Sequence, residues 1–284
     1  MHEPVPPKRF YGMVKAVCKG RFEGTKDHVR FGAIEDWDTS LIEDMSWLFV
    51  DQQAFDRDLS RWNTSRVGSM RGMFRGAKTF NQPLESWDVS SVRDMSKMFS
   101  GACSFNQELG SWNVGRVTDM TDMFRDAKAF DQGLGAWDVS QVTDMSEMFY
   151  GATSFNQPVG GWDVSSVRDM SGMFWDARAF DQELGAWDVS QVTDMSRLFC
   201  CAVTFNQPLG DWDTSRVTDM CQMFHGARAF DQVLERWDIF RVTDMRDMFH
   251  GTQCPFWALI NWDRDEIRSR RRRPPWGARL ALAL

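Results

Sequence analysis

A tryptophan stands at every twenty-fifth position from Trp37 to Trp262, through Trp62, Trp87, Trp112, Trp137, Trp162, Trp187, Trp212 and Trp237, without insertion or deletion. Three further columns keep the same register: methionine from Met45 to Met245, phenylalanine from Phe49 to Phe249, and a second phenylalanine from Phe55 to Phe230. Few residue types therefore carry the apolar mass: 22 Phe, 18 Met and 14 Trp against two Tyr. One 25-residue unit cannot bury these side chains alone. Stacked units can, because each column becomes a ladder through the interior. The chain is an array.

Two periodicities follow one another inside a unit. Leu84, Trp87 and Val89 form an L-x-x-W-x-V pattern, whose last two members alternate as in a half-buried strand. Val92, Met95, Met98, Phe99 and Ala102 then fall at steps of three and four, which predicts a short helix with Ser90 as its N-cap and Gly101 at its end. The expected fold class is an α/β solenoid of nine 25-residue coils, each a short parallel strand plus a short helical segment. Phe10, Met13, Val14 and Val17 have helical spacing, so an N-terminal capping helix is expected before the first coil. The organisation reads as a cap over 1–33, the array over 34–263 and a basic, disordered tail over 264–284, where Pro274 and Pro275 forbid a continuing helix.

Net charge is −7, but +2 on residues 1–36 and +4 on 263–284 leave −13 on the stretch between. So acidic a body is a poor match for a phosphate backbone, which argues against nucleic-acid binding by the repeats. No run of about 18 apolar residues exists to span a membrane. The N-terminus has no apolar signal core, so the chain as it stands points to the cytoplasm. The six cysteines follow no disulfide framework.

The run W-D-V-S-Q-V-T-D-M-S-E-M-F-Y-G-A-T-S-F-N-Q at 137–157 resembles the repeat of the BspA-type leucine-rich-repeat surface proteins, in the subfamily with units near 25 residues long filed as a domain of unknown function. The lead-in Val14-Lys15-Ala16-Val17-Cys18, followed by Gly32-Ala33-Ile34-Glu35-Asp36-Trp37-Asp38, is similar as well. The resemblance covers residues 30–263. It implies a right-handed, leucine-rich-repeat-like coil, adhesion or partner binding at a cell surface, no cofactor and no catalytic residue.

Polar columns are as regular as apolar ones. After each Trp comes Asp38, Asn63, Asp88, Asn113, Asp138, Asp163, Asp188, Asp213, Asp238 or Asp263. Carboxylates stacked at roughly 5 Å repel by about 1 kcal/mol even in water-like dielectric, so something must compensate. Each can accept neighbouring backbone N–H groups in an Asx turn, or the column can bind Ca²⁺ or a basic partner. A second column (Asp44, Asp94, Asp119, Asp144, Asp169, Asp194, Asp219, Asp244) falls at the start of the expected helix, where its dipole favours negative charge. A third (Asp56, Asn81, Asn106, Asp131, Asn156, Asp181, Asn206, Asp231) alternates from residue 106 onward, through charge spacing or duplication of a two-coil block. Cys200, His225 and His250 share a variable column with Ser100, Arg125, Tyr150 and Trp175. With Cys221 and Cys254 they are weak Zn²⁺ candidates that match no familiar ligand spacing. Arg270 to Arg273 read as a solvated run, with a nucleic-acid or nuclear-targeting patch as the alternative.

Nothing points to an enzyme. Two of the four histidines precede the array, and no G-x-S-x-G, phosphate-binding glycine loop or H-E-x-x-H occurs. The expected function is a binding or adhesion module whose strand-lined face meets a protein or glycan, with a basic partner favoured by the charge. The side chains expected on that face are Arg61, Glu85, Asp88, Asn113, Asp138, Asp163, Asp188, Asp211, Asp213, Arg236 and Asp238. A cation-binding or structural spacer array is the alternative.

Overall fold

The computed structural model of the chain describes residues 3–253. Helix α1 (Pro7–Cys18) begins with Pro7 in its first turn, where a missing N–H costs nothing, and buries Phe10, Met13 and Val14. Helix α2 (Lys26–Phe31) is capped by the Thr25 hydroxyl, which accepts from the His28 N–H, and ends at Gly32 with φ 74°. A single 3₁₀ turn (Ile34–Asp36) leads into the first repeat. The Phe10 ring lies 6.3 Å from Trp37 and 5.5 Å from Trp62, so α1 closes the first aromatic layer. Trp262 and Asp263 of the array, and the expected tail over 264–284 with its arginine run, lie outside the described residues.

The repeats stack in register. Single parallel bridges join Asp44 to Ser69, Ser69 to Asp94, and so on to Asp219 with Asp244. From Trp37 to Trp237 every indole of the column is buried, as are Phe74, Phe99, Phe124 and their equivalents. Phe99 stacks on Phe124 at 5.6 Å between ring centroids, Phe80 on Phe105 at 6.0 Å and Trp137 on Trp162 at 6.4 Å, all within 8° of parallel. Within one unit Phe99 lies 4.1 Å from Phe105, so the two phenylalanine columns lock together. From Trp62 onward each indole also donates to the preceding unit: Trp87 Nε1 to the Leu59 carbonyl (3.0 Å), Trp137 Nε1 to Leu109 (2.9 Å), Trp237 Nε1 to Leu209 (2.8 Å).

The expected strand and helix of each unit are both replaced by turns. Trp87 N–H closes onto the Leu84 carbonyl and Val92 N–H onto Val89, so L-x-x-W-x-V carries tight turns rather than an extended ladder. The segment read as a helix divides its N–H groups in two. Those of Met95, Lys97, Phe99 and Gly101 bond to carbonyls of the next repeat, at Asp119, Thr121, Met123 and Arg125. Those of Met98, Ser100 and Ala102 close turns onto Met95, Lys97 and Phe99. Lys97 and Gly101 have φ of 60° and 72°, left-handed values that end a right-handed helix at every fourth residue. A helix would satisfy its own backbone and offer nothing laterally. Where identical neighbours lie above and below, alternating lateral bonds satisfy the same groups and join the units. Ser90 accordingly caps no helix; its N–H and hydroxyl both donate to Asp88 Oδ1.

Candidate functional site

The column after the tryptophans sits where the polypeptide reverses between Trp and Val. All of Asp88, Asn113, Asp138, Asp163, Asp188, Asp213 and Asp238 are exposed, and so are Arg61, Glu85, Asp211 and Arg236 beside them. They stand on turns, not strands. Oδ1 of each accepts the N–H two residues on, as in Asp138 from Ser140 (3.1 Å) and Asp188 from Ser190 (3.0 Å). These Asx turns compensate the stacked charge. The donating serine hydroxyl and N–H hold the carboxyls of Asp88, Asp138, Asp163 and Asp213 below the usual value. Arg61 pairs with Asp36 at 2.9 Å and Arg236 with Asp211 at 2.6 Å, both at the surface.

The second carboxylate column has a different cause from the one its position suggested. No helix dipole is present; Asp94, Asp119, Asp144, Asp169, Asp194 and Asp219 each accept the N–H two residues on, and their own backbone forms the bridges between repeats. Partial burial, with Asp144 and Asp194 on either side, raises the Asp169 carboxyl above its ordinary 3.8. Asp219 is raised for the same reasons. A folded-state value above the unfolded one means that ionisation opposes folding as pH rises through it, and the penalty vanishes at lower pH. Asp169→Asn keeps an acceptor for the Ser171 N–H and removes the charge. It is expected to raise the thermal midpoint at pH 7 and to have no effect below the carboxylate range; equal shifts at both pH values would contradict this cause.

In the third column the side chain reaches to the next unit. Asn106 Oδ1 accepts the Asp131 N–H (2.9 Å) and the Gln132 amide (3.0 Å), Asp131 Oδ1 accepts the same pair from Asn156 and Gln157, and the pattern runs to Asp231. Asn and Asp supply the same acceptor, so the bond tolerates the alternation.

The thiol and imidazole candidates are only partly brought together. Cys200 Sγ lies 3.8 Å from Cys201 Sγ, and the His225 and His250 rings stack at 4.9 Å. Among the described residues no three His, Cys, Asp or Glu side chains converge on a metal position. Burial pushes the Cys200 thiol up to about 12 and raises Cys221, which disfavours the thiolate that a metal requires. Cys254 lies outside the described residues. The neighbouring Arg125, Tyr150, Trp175 and Arg197 form a self-contained stack: guanidinium over ring at 4.3 Å, ring edge to ring at 4.7 Å, guanidinium over ring at 5.3 Å.

One open cleft of about 490 Å³ interrupts the exposed face. It is lined by Asp138, which the charge pattern singled out, and by Arg93, Gly115, Arg116, Thr118 and Gln141, which it did not. The signal that could have found them is departure from the repeat. Gly115 stands where Ser90, Ser140, Ser165, Ser190 and Ser215 stand in other units, and Arg93 where Thr118, Thr143, Thr193, Thr218 and Thr243 do, with Arg168 sharing its type.

No helix among the described residues is long and apolar enough to cross a membrane. No curated protein matches the chain. The family described as "Mycoplasma protein of unknown function, DUF285" matches it three times in tandem, over residues 17–132, 107–199 and 182–272. Matches that span the array and carry its repetition leave one assignment: the chain is a repeat protein belonging to the DUF285 family.

Proposed function

We propose that this chain is a non-catalytic binding module, a right-handed leucine-rich-repeat-like solenoid of the BspA type that presents its row of Asx turns to a protein or glycan partner. One observation carries the reading: Asp138, Asp163, Asp188, Asp213 and Asp238 are exposed in five successive units, each anchored through Oδ1 to its own turn. A rigid, evenly spaced row of charge on a −13 body attracts a basic partner and orients it along the array. Near-identity of the units supports the absence of catalysis, because a reaction needs one asymmetric constellation.

A decalysine peptide is a direct probe. Its binding to the full chain should weaken steadily with salt up to about 1 M, where screening reaches ~3 Å. The triple change Asp138→Asn, Asp163→Asn, Asp188→Asn keeps every Asx acceptor and should weaken binding by about tenfold at low salt. Unaltered binding by that variant removes the row from the recognition surface. The occupied Oδ1 atoms also favour a second reading, a structural spacer, under which decalysine is not retained at any salt.

A further inference from the structure

The geometry points to a site for a carboxylate-bearing saccharide, of the uronic acid class, in the cleft at Gly115. The inference goes beyond the charged row and holds whether or not a basic partner exists.

Three departures from the repeat coincide there. Asn113 replaces the usual carboxylate, which removes a negative charge. Gly115 replaces serine, which removes both bulk and the hydroxyl that elsewhere donates to the preceding Asp, as Ser140 does to Asp138 at 2.7 Å. The third departure concerns charge pairing. Two units earlier, Arg66 pairs with Glu43, 23 residues before it, at 2.7 Å. The residue that stands in the same relation to Arg116 is Arg93; later units have no carboxylate there either, but only this one places arginine at both positions, and both residues line the cleft. Among the described residues neither has an ion-pair partner.

Two exposed guanidinium groups without a counter-charge, in an acidic protein, define an oxyanion position that two forks can share. The rest of the lining selects what carries the oxyanion. Asp138 has Oδ1 committed to Ser140, and its other oxygen can accept a hydroxyl proton. The Gln141 amide can donate and accept, and the Thr118 oxygen has lone pairs beyond its donated bond to the Arg93 carbonyl at 3.3 Å. A ligand that offers one carboxylate and several hydroxyls satisfies both halves; a bare anion satisfies one, and it faces Asp138 without a compensating donor. The volume lies within the roughly 300–1,000 Å³ of small-ligand sites.

The test is a titration of the ¹⁵N-labelled full chain with sodium glucuronate, followed by amide chemical shifts. Saturable shifts should cluster at Gly115, Thr118 and Gln141. Gly115→Ser restores the residue that other units carry, so the variant folds, and its new Cβ lies 3.1 Å from Asp138 Oδ2 and narrows the cleft at that point. Both Gly115→Ser and Arg116→Gln should weaken saturation by about tenfold or more. Inorganic phosphate and neutral glucose form the control arms, and each should bind more weakly than glucuronate. The site is refuted by non-saturating shifts, by an unchanged midpoint in Gly115→Ser, or by either control saturating at the glucuronate midpoint.

Discussion

Removal of residues 162–186, one full unit, leaves a protein that still unfolds cooperatively, with a modestly lower midpoint; removal of 162–173, half as many residues, leaves none. The asymmetry follows from register. In the 25-residue deletion Trp187 comes to follow Gly161, closes its turn onto the Val159 carbonyl as Trp162 does, and finds the Leu134 carbonyl for its indole N–H. Phe149 stacks on Phe199 instead of Phe174, with the same chemistry on both faces. Only one nearest-neighbour interface is lost, and stability in such arrays is roughly a sum over interfaces. The shorter deletion places Phe174 directly after Gly161. The truncated unit then meets the wrong columns in both of its neighbours, its lateral N–H groups face side chains, and two interfaces are lost together, although the units after Trp187 keep their spacing to one another. Each buried backbone group left without a partner costs about 1–3 kcal/mol, and several are lost together. Circular dichroism melts of the two variants decide the matter. Similar curves for both would mean that the units do not depend on one another.

The second large effect is at Trp137. Its ring is buried and stacked on Trp162, and its Nε1 reaches the buried Leu109 carbonyl at 2.9 Å. Trp137→Ala removes stack and bond together and should cost about 3–5 kcal/mol, the usual range for deleting a large aromatic from a core. Trp137→Phe keeps much of the ring but leaves the carbonyl without its donor, and should cost about 1–3 kcal/mol. Denaturant unfolding of the pair separates packing from hydrogen bonding. If the phenylalanine variant matches the parent, the indole N–H contributes nothing to holding units together.

The period, the buried columns and the Asx turns were legible in the sequence, because each follows from residue type and spacing alone. Trp, Met and Phe in fixed register have nowhere to go but the interior, and an Asp two residues before a Ser is a turn by local chemistry. The strand and helix were not legible, and the reason is specific. Met95, Met98, Phe99 and Ala102 are buried as a helix would bury them, yet two consecutive tight turns place side chains at the same steps of three and four. Hydropathy reports which side chains are inside, not which carbonyl each N–H chooses, and here that choice depends on the neighbouring unit. The cleft escaped for the opposite reason. It lies in the exceptions, Arg93 and Gly115, whereas a search for regularity weighs what recurs.

The indole bonds have a direction. Each donor belongs to a later unit and each acceptor to an earlier one, from Trp62 on Ile34 to Trp237 on Leu209. Translated from its N-terminus, the polypeptide lays down every receiving carbonyl before the ring that will seek it is made. The first such carbonyl belongs to the 3₁₀ turn that follows α2, so each of these indole bonds can close as soon as its own unit has been made, whereas the lateral backbone bonds wait for the unit after it.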